Sequence, residues 1–213
     1  MKLSKLIDDS FKDDDEKPRN YIGASSIGSD CLRQIWYQFK GVKAEAVPPK
    51  MRKNWAIGKA LEKTIVEWIK QAGFKVETGN LEFNHEGAPY FKGHFDGFLI
   101  YRKKKYILEI KTAKNASFGI LKRKGLKEWQ PIYYSQIQSY MGMSGVLNAV
   151  ILVLNKDTGE LHDELIEFDA EHYSELVLKA KMIHSSPFEP PKINGSPLYF
   201  KCKMCQYNKV CHK

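Results

Sequence analysis

The sequence has little that would place it in a membrane or outside a cell. Its 213 residues contain no apolar run of the about 18 residues that a transmembrane helix requires. The first twenty residues lack the apolar core of a secretory signal peptide and carry acidic side chains throughout. We therefore predict a cytoplasmic protein with no membrane association.

Cysteine is scarce, and internal repeats, low-complexity tracts and phosphate-binding glycine loops are absent. The chain has four cysteines, which in a reducing compartment are more often metal ligands or buried thiols than disulfides. Without a P-loop or another nucleotide-phosphate motif, the chain shows no means of using ATP. The sequence therefore predicts one α/β domain with a small appendage and no motor function.

The charge is strongly positive and unevenly distributed. Lysine and arginine number 34 against 25 acidic residues, giving a net charge of +9 and a pI of about 9.2. Between Tyr101 and Lys127 ten basic residues accompany a single acid, Glu109. Such a segment attracts a polyanion with an affinity that falls as salt rises, although a solvated basic surface is the simpler alternative. The candidate DNA contacts are Lys103, Lys104, Lys114, Lys122, Arg123 and Lys124.

Two acids and a lysine lie on a predicted β-hairpin. Asp96 stands in GHFDG, and Glu109 and Lys111 stand in YILEIKT. Side chains alternate along a strand, so Glu109 and Lys111 share one face. A turn at residues 102–104 brings Asp96 opposite Glu109 to within one residue of register. Two carboxylates at that distance favour a hard divalent cation between them, which is the outline of a metal-dependent nuclease site.

A third acid, Glu62, lies on a long predicted helix over residues 53–72. Glu62 shares a row of this helix with Gly58, Val66 and Ile69, beside the apolar stripe that we expect to be buried. A surface glutamate that pairs with a neighbouring lysine is an equally good interpretation of this position. The predicted stripe consists of Leu61, Ile65, Trp68 and Ala72.

A predicted helix over residues 128–142 carries a polar pair. Gln136 and Tyr140 are four residues apart and face the same direction, so both side chains can reach one phosphate or base. Many amphipathic helices carry such a pair without a functional role. The segment before this helix, from the end of the hairpin, is predicted to be a basic loop, and its residues 122–127 are candidates to line a strand channel.

The cysteines suggest a shared metal. Three of them form a C-x2-C-x5-C pattern near the C-terminus, and one stands near the N-terminus. This spacing does not distinguish zinc from iron–sulfur, and His212 is a further possible zinc ligand. The alternative for the N-terminal cysteine is a buried thiol on a helical stripe with Ile27 and Ile35. The four cysteines are Cys31, Cys202, Cys205 and Cys211.

The predicted organisation has three parts. Residues 1–20 form an acidic, flexible segment, residues 21–184 a mixed α/β nuclease domain, and residues 185–213 a proline-rich strap with a cysteine-rich clamp that packs against Cys31. The two prolines at 47–50 are expected to interrupt regular secondary structure. A final helix is predicted from Asp169 to about His184. Other predicted elements are a helix at 25–38 and strands at 74–79, 81–84, 148–154 and 162–168.

Taken together, these motifs resemble the RecB-like branch of the PD-(D/E)XK nucleases. The likeness is greatest to its iron–sulfur members, the CRISPR-associated and AddB-type nuclease domains, and extends to phage-type recombination exonucleases. It covers nearly the whole chain. The motifs are SSIGSDCLR at 25–33, GKALE at 58–62, GHFDG at 93–97, EIK at 109–111, QIQSY at 136–140 and the closing C-x2-C-x5-C.

The resemblance implies a restriction-endonuclease-like core, which is a central mixed β-sheet flanked by helices, with an iron–sulfur clamp joining the two ends of the chain. Asp96, Glu109 and the Ile110 carbonyl would bind Mg²⁺ or Mn²⁺, with Glu62 as a further ligand where many relatives have histidine. Lys111 would position the attacking water, and Gln136 and Tyr140 would organise DNA. A 4Fe–4S cluster, or alternatively Zn²⁺, would be held by Cys31, Cys202, Cys205 and Cys211.

The predicted function is therefore metal-dependent exonucleolytic hydrolysis of DNA. Single-stranded DNA or DNA ends would be the substrates, in recombination, repair, or phage or CRISPR DNA processing, with recombination or CRISPR adaptation proteins as possible partners. The alternatives are a noncatalytic, metal-stapled DNA-binding accessory protein and a structure-specific endonuclease with the same fold.

Overall fold

The computed structural model describes residues 2–11, 19–79 and 81–213. Helices and strands are interspersed along the chain. The helices are α1 (Leu3–Ser10), α2 (Ala24–Ile27), α3 (Leu32–Phe39), α4 (Pro49–Gln71), α5 (Asn115–Trp129), α6 (Pro131–Ser144), α7 (Ala170–Ser185), α8 (Phe200–Lys203) and α9 (Asn208–Cys211). The strands are β1 (Ile22–Gly23), β2 (Lys75–Glu77), β3 (Glu82–His85), β4 (Ala88–His94), β5 (Gly97–Tyr101), β6 (Lys104–Ala113), β7 (Asn148–Asn155) and β8 (Leu161–Glu167).

The strands form two sheets. The larger has the order β2-β5-β6-β7-β8, in which β6 and β7 are parallel and the other neighbours are antiparallel. The smaller has the order β1-β4-β3 and was not predicted as a separate sheet. Helices pack against both sheets, so the predicted mixed α/β architecture is confirmed. None of the described helices is both long and apolar enough to cross a membrane.

The central strand β6 is covered on both faces. Ile107 packs in the main core, while Leu108 and Ile110 pack beneath α4 in a second apolar cluster. A strand that is buried on both faces is expected to be continuously hydrophobic. Glu109 interrupts that run, so this carboxylate is held inside the protein instead of on an open surface.

Helix α4 ends within one residue of its predicted bound, but it begins at Pro49, four residues earlier than predicted. It begins with a proline in its first turn, where the missing N–H is not needed. Beyond its last residue, Gly73 has a φ of +87°. This conformation lets the Phe74 amide donate to the Ile69 carbonyl and the Gly73 amide to the Lys70 carbonyl, the Schellman arrangement. The predicted buried stripe is wrong at Trp68, which is 42% exposed, and at Ala72, which is also exposed. The side chains that pack onto the sheet are Leu61, Ile65, Val66 and Ile69.

The predicted helix at 25–38 is instead two helices. Gly28 lies so close to α6 that a Cβ atom there would be 2.8 Å from the Ser135 Cβ, and the chain turns after it. Cys31 has extended backbone angles at the N-cap of α3. It therefore does not share a helical stripe with Ile27 and Ile35.

The predicted basic loop before α6 is a helix, α5. Its first amide, from Asn115, donates to Asp157, and the Leu126 amide donates to Glu164, both at 2.8 Å. Between these points Gly125 has a φ of +72° and interrupts the helix. Helix α6 then begins at Pro131 and not at residue 128.

The ends of the chain differ in how well they were predicted. Residues 3–10 of the predicted flexible segment form α1, whose Asp8 pairs with Lys53, and residues 12–18 lie outside the described residues. Near the C-terminus, Asp169 caps α7 by accepting from the His172 amide, as predicted. Residues 186–199 have no regular secondary structure, which confirms the interpretation of the proline-rich stretch.

Candidate active site

The register of the β5–β6 hairpin positions Asp96. Gly97 pairs with Leu108 and Tyr101 with Lys104 around a two-residue turn. Continued by one residue, the same register sets Asp96 opposite Glu109, as predicted. One carboxylate oxygen of Asp96 accepts a 2.7 Å hydrogen bond from the Ile110 amide, which fixes the acid beside the strand.

Glu109 and Lys111 form an ion pair at the centre of the fold. Glu109 is only 1% exposed, and its Oε1 accepts from the Lys111 Nζ. The other carboxylate oxygen, Oε2, is buried and has no hydrogen-bond partner among the described residues. An ionised oxygen left in this state is costly, so the position favours a cation.

Burial and mutual repulsion act on all three acids. Burial raises the pKa of Glu109 to about 7, with Asp96 and Glu62 contributing in the same direction and Lys111 opposing them. Burial also raises the pKa of Asp96, and burial followed by the Asp96 charge raises the pKa of Glu62. Burial lowers the pKa of Lys111, but the Glu109 and Asp96 charges outweigh it and the net direction is upward. The three acids therefore form one electrostatic group with Lys111.

The chemistry of this group suits a hard divalent cation. It offers carboxylate oxygens, one of them an unpaired buried atom, in surroundings that disfavour uncompensated negative charge. In the described part of the chain, however, no three His, Cys, Asp or Glu side chains are grouped so as to hold one metal ion. The present arrangement is that of a carboxylate cluster paired with Lys111, and a metal site would require these side chains to move.

Helix α6 closes the site from one side. The Gln136 side-chain amide donates to the Tyr140 hydroxyl, and both residues are buried. Burial, then the Glu109 charge, raises the pKa of Tyr140 well above its ordinary value. The predicted polar pair therefore lies toward the acids and is largely shielded from solvent.

Sequence reasoning missed Tyr133, which also belongs to the site. The Lys111 Nζ lies 5.1 Å from the centroid of the Tyr133 ring, a cation–π distance. Tyr133, Gln136 and Tyr140 are spaced i, i+3 and i+7, so they share one helix face. The sequence contained this spacing. Extending the predicted Gln136–Tyr140 pair by one helical turn toward the N-terminus would have identified Tyr133.

The small sheet brings further positive charge near the site, which was not predicted from the sequence. Arg19 and Lys92 lie 6.0 and 5.9 Å from the Tyr21 ring centroid. The Tyr21 hydroxyl is in turn close enough to influence the pKa of Tyr140. These residues are distant in sequence and reach one place only through the pairing of β1 with β4.

The predicted DNA-contacting lysines and arginine occupy three separate places. Lys103 and Lys104 lie at the hairpin tip, about 17 Å along β6 from Glu109. Lys114 follows the opposite end of β6, three residues beyond Lys111. The remaining three are on α5, where Lys122 pairs with Glu160 at 2.6 Å and Lys124 with Glu128 at 3.5 Å, with Arg123 between them.

The four cysteines are free thiols that line one cavity of about 330 Å³ together with His212. Burial raises the pKa of Cys202 and Cys205, and the neighbouring thiols add to the effect in both. The His212 Nε2 atom is buried without a described partner. A tetrahedral zinc site needs sulfurs about 3.8 Å apart, and no such group of three ligands is present in the described residues.

Arg33 fastens the strap to α3 beside this cavity. Its Nε donates to the Pro190 carbonyl at 2.6 Å, and its Nη1 pairs with Glu189 at 3.0 Å. The Tyr37 hydroxyl donates to the same Glu189 carboxylate at 3.0 Å. The Arg33 side chain is only 14% exposed. Its planar guanidinium therefore binds both Pro190 and Glu189 of the strap from a largely buried position.

Replacing Arg33 by lysine is expected to lower the free energy of unfolding by about 1–3 kcal/mol, because an ammonium cannot make both contacts and Glu189 loses a partner. Chemical denaturation measures this loss. The matched control is Lys209→Ala, which removes an exposed ion pair with Glu45 from the same C-terminal segment and should leave the midpoint nearly unchanged. Equal stabilities of the Arg33→Lys protein and the wild type would contradict the assignment.

Solved structures share this fold. LHK-Exo, an alkaline exonuclease from Laribacter hongkongensis crystallised with dAMP, has a TM-score of 0.61 and 16% identity over 79% of this chain and 88% of its own. SSO0001 has a TM-score of 0.58 and 18% identity, covering 98% and 93%. A phage-related exonuclease from Haemophilus somnus 129PT has a TM-score of 0.56 and 13% identity, covering 76% and 91%. The chain therefore shares its fold with these exonucleases, and the predicted similarity to phage-type recombination exonucleases is confirmed.

The sequence match identifies the family within that fold. Residues 19–147 match the family described as the YqaJ-like viral recombinase domain, so the chain belongs to this family. No curated protein matches the chain. The matched segment contains β1, the α4 helix, the whole hairpin and α6, and hence every residue of the candidate active site.

Proposed function

We propose that the protein is a metal-dependent deoxyribonuclease that removes nucleotides from DNA ends during recombination. One observation carries the proposal. The Asp96 carboxylate is hydrogen-bonded to strand β6, which holds Glu109 and Lys111, and the buried Glu109 Oε2 is unpaired. The family description as a viral recombinase domain and the fold shared with alkaline exonucleases support the same function.

We assign the following roles to the residues of the site. Asp96, Glu109, Glu62 and the Ile110 carbonyl would hold Mg²⁺ or Mn²⁺, which when bound would supply Lewis-acid activation of the scissile phosphate and of water. Lys111 adds a fixed positive charge where the phosphate develops negative charge.

The tyrosines and glutamine on α6 would keep these groups in place. Tyr133 limits the movement of the Lys111 ammonium. The Gln136–Tyr140 hydrogen bond fixes the Tyr140 hydroxyl near the Glu109 and Asp96 carboxylates. Catalytic side chains that are locked by packing contribute more to the rate than mobile ones, because they need little reorganisation.

Adding Mg²⁺ or Mn²⁺ is expected to raise the melting temperature of the wild-type protein, because the cation relieves repulsion among the three acids. At a concentration 100-fold above the dissociation constant the gain is about 2.7 kcal/mol. Scanning calorimetry with and without the metal measures it. Asp96→Asn should lose the response and Glu160→Gln, an exposed acid on another surface, should keep it. An identical response in the Asp96→Asn protein would refute this metal site.

The mode of digestion is tested with labelled substrates. We expect the protein to release labelled products from one end of linear single- or double-stranded DNA and to leave a covalently closed circle intact. Cleavage of the circle would establish a structure-specific endonuclease instead. Binding of DNA without cleavage at any metal concentration would support the noncatalytic accessory protein.

We further propose that Cys31, Cys202, Cys205 and Cys211 hold a 4Fe–4S cluster. Their arrangement around one cavity supports it, and the four free thiols suit the reducing cytoplasm predicted from the sequence. Anaerobically purified protein should contain iron and acid-labile sulfide, and a Cys205→Ser variant should lose both. Stoichiometric zinc without iron would replace the cluster with the alternative, and a metal-free protein would refute both.

A further inference from the structure

A small aromatic pocket lies at the tip of the β5–β6 hairpin, at the opposite end of these strands from the acids. It has a volume of about 230 Å³ and forms where the C-terminal end of α4 meets the turn. The Phe74 and Tyr101 rings lie with their centroids 5.5 Å apart at 42°, and they are 36% and 42% exposed. The pocket is lined by Ala72, Gly73, Phe74, Ile100, Tyr101 and Arg102.

The rim of this pocket is positively charged. The Arg102 guanidinium lies 5.1 Å from the Tyr101 ring centroid, and Lys103 and Lys104 follow it in the chain. Nearby Lys75 and Lys105 share one acid, Glu77, at 3.1 and 3.0 Å. Among the described residues no acid forms an ion pair with Arg102, Lys103 or Lys104. The pocket therefore suits an anion that carries a flat apolar group.

The turn itself is unfavourable for its sequence. Arg102 and Lys103 have φ values of +48° and +66°, in the left-handed region that L-residues with a Cβ rarely occupy. Two-residue turns of this kind strongly favour Asn-Gly. A turn selected only for stability would have Asn-Gly at these two positions instead of two cations. Backbone strain of this kind is often found at functional sites.

We propose that the hairpin tip binds single-stranded DNA, with a base stacked against Phe74 and Tyr101 and its flanking phosphates contacting Arg102 and Lys103. The inference rests on the proposed function and adds a second DNA-binding site to it. Unpaired bases expose the π-faces that aromatic side chains bind, whereas a duplex hides them. The combination of exposed rings and cations therefore favours a single strand.

The distance between the two sites sets a length requirement. From Glu109 to Lys104 is about 17 Å along β6, and from Glu62 to Gly73 is about 17 Å along α4. At about 3.4 Å per nucleotide of a stacked strand, a strand must be about five nucleotides or longer to contact both sites. We expect the affinity for single-stranded DNA to rise once this length is exceeded.

Fluorescence anisotropy in EDTA tests the site without hydrolysis. With a labelled oligothymidylate of about 20 nucleotides, Tyr101→Ala should weaken binding at least about five-fold, and Tyr101→Phe should bind like the wild type. An oligonucleotide of about 3 nucleotides cannot contact both sites at once, so the wild type should bind it more weakly than the long one. Equal binding of the long oligonucleotide by Tyr101→Ala and wild type would overturn the proposal.

A turn exchange separates binding from folding. The double substitution Arg102→Asn and Lys103→Gly supplies the favoured turn sequence, so the melting temperature should rise, while affinity for the long oligonucleotide should fall. A stabilised protein that binds with unchanged affinity would show that the two cations do not contact DNA and would overturn their assigned role. The expected result cannot be attributed to misfolding, since the variant is more stable.

Competition identifies the ligand. Competitors are compared at equal concentrations of negative charge. Unlabelled single-stranded DNA should displace the probe at a much lower concentration than duplex DNA or poly-L-glutamate. Equal competition by poly-L-glutamate would indicate an acidic protein partner and overturn the base-stacking assignment. Because the readout is binding, a protein that binds through the tip but never cleaves DNA would refute the nuclease and retain this site.

Discussion

Replacing Lys111 by alanine is expected to lower the rate of DNA hydrolysis by about 10²–10³-fold, the cost of removing one preorganised positive group from a developing phosphate charge. The Lys111 Nζ contacts the buried Glu109 carboxylate and lies over the Tyr133 ring. Lys209 is a control because it lies on the surface, pairs with Glu45 and is not among the candidate DNA contacts. Lys209→Ala should retain nearly full activity.

The same substitution has a second consequence, for stability. Removing Lys111 leaves the Glu109 carboxylate buried without its partner, which in other proteins costs about 3–5 kcal/mol unless the acid takes up a proton. Adding Glu109→Gln to Lys111→Ala removes that charge, so the double variant should be more stable than Lys111→Ala and equally inactive. A Lys111→Ala protein that is still folded at the assay temperature but inactive assigns the loss to chemistry, and higher stability of the double variant confirms that the buried Glu109 charge caused the destabilisation. Recovery of activity in the double variant would contradict the role of both residues.

Replacing Gly93 by alanine is expected to cost stability and activity together. A Cβ atom at this position would lie 2.6 Å from the Cε1 and 2.8 Å from the Cδ1 of Tyr140, and 3.0 Å from the Ala24 Cβ. Overpacking of this kind costs about 1–3 kcal/mol. Because the Tyr140 ring must move to relieve it, the Gln136–Tyr140 hydrogen bond beside the acids is also disturbed. Thermal denaturation and the rate of DNA hydrolysis measure the two effects.

Gly58 is the control for this prediction. It lies in α4 with nothing within 4 Å of an added Cβ atom, so Gly58→Ala should stabilise the protein by about 0.5–1 kcal/mol through a lower backbone entropy. The same chemical change thus has opposite expected signs at two sites. A Gly93→Ala protein with wild-type melting temperature and rate would show that Tyr140 does not need its present position.

The acidic hairpin could be predicted from sequence because its determinants are local. Alternation of side chains along YILEIKT and a short turn fix the register, and that register alone brings Asp96 opposite Glu109. The C-terminal end of α4 and the start of α7 were predicted for the same reason, since Gly73 and Asp169 lie next to the helix ends that they cap.

Where the prediction failed, the determinants come from distant parts of the chain. The segment of α5 has glycines and no local cap. Its first amide and the amide after the Gly125 interruption donate to Asp157 and Glu164, which come from beyond β7. The break at Gly28 arises from close packing against α6. The basic residues were expected to flank one site because they are close in sequence, but β6 separates Lys104 from Lys111 by most of its length.

The central claim is that Asp96, Glu109 and Lys111 form a metal-dependent hydrolytic site. The most direct measurement is release of nucleotides from end-labelled DNA by wild-type, Asp96→Asn and Lys111→Ala proteins, each with Mg²⁺, Mn²⁺ or EDTA. We predict release by the wild-type protein with either metal, none in EDTA, and a loss of at least about 100-fold in both variants. Equal release by the wild type and the folded variants, or release that persists in EDTA, would contradict the account.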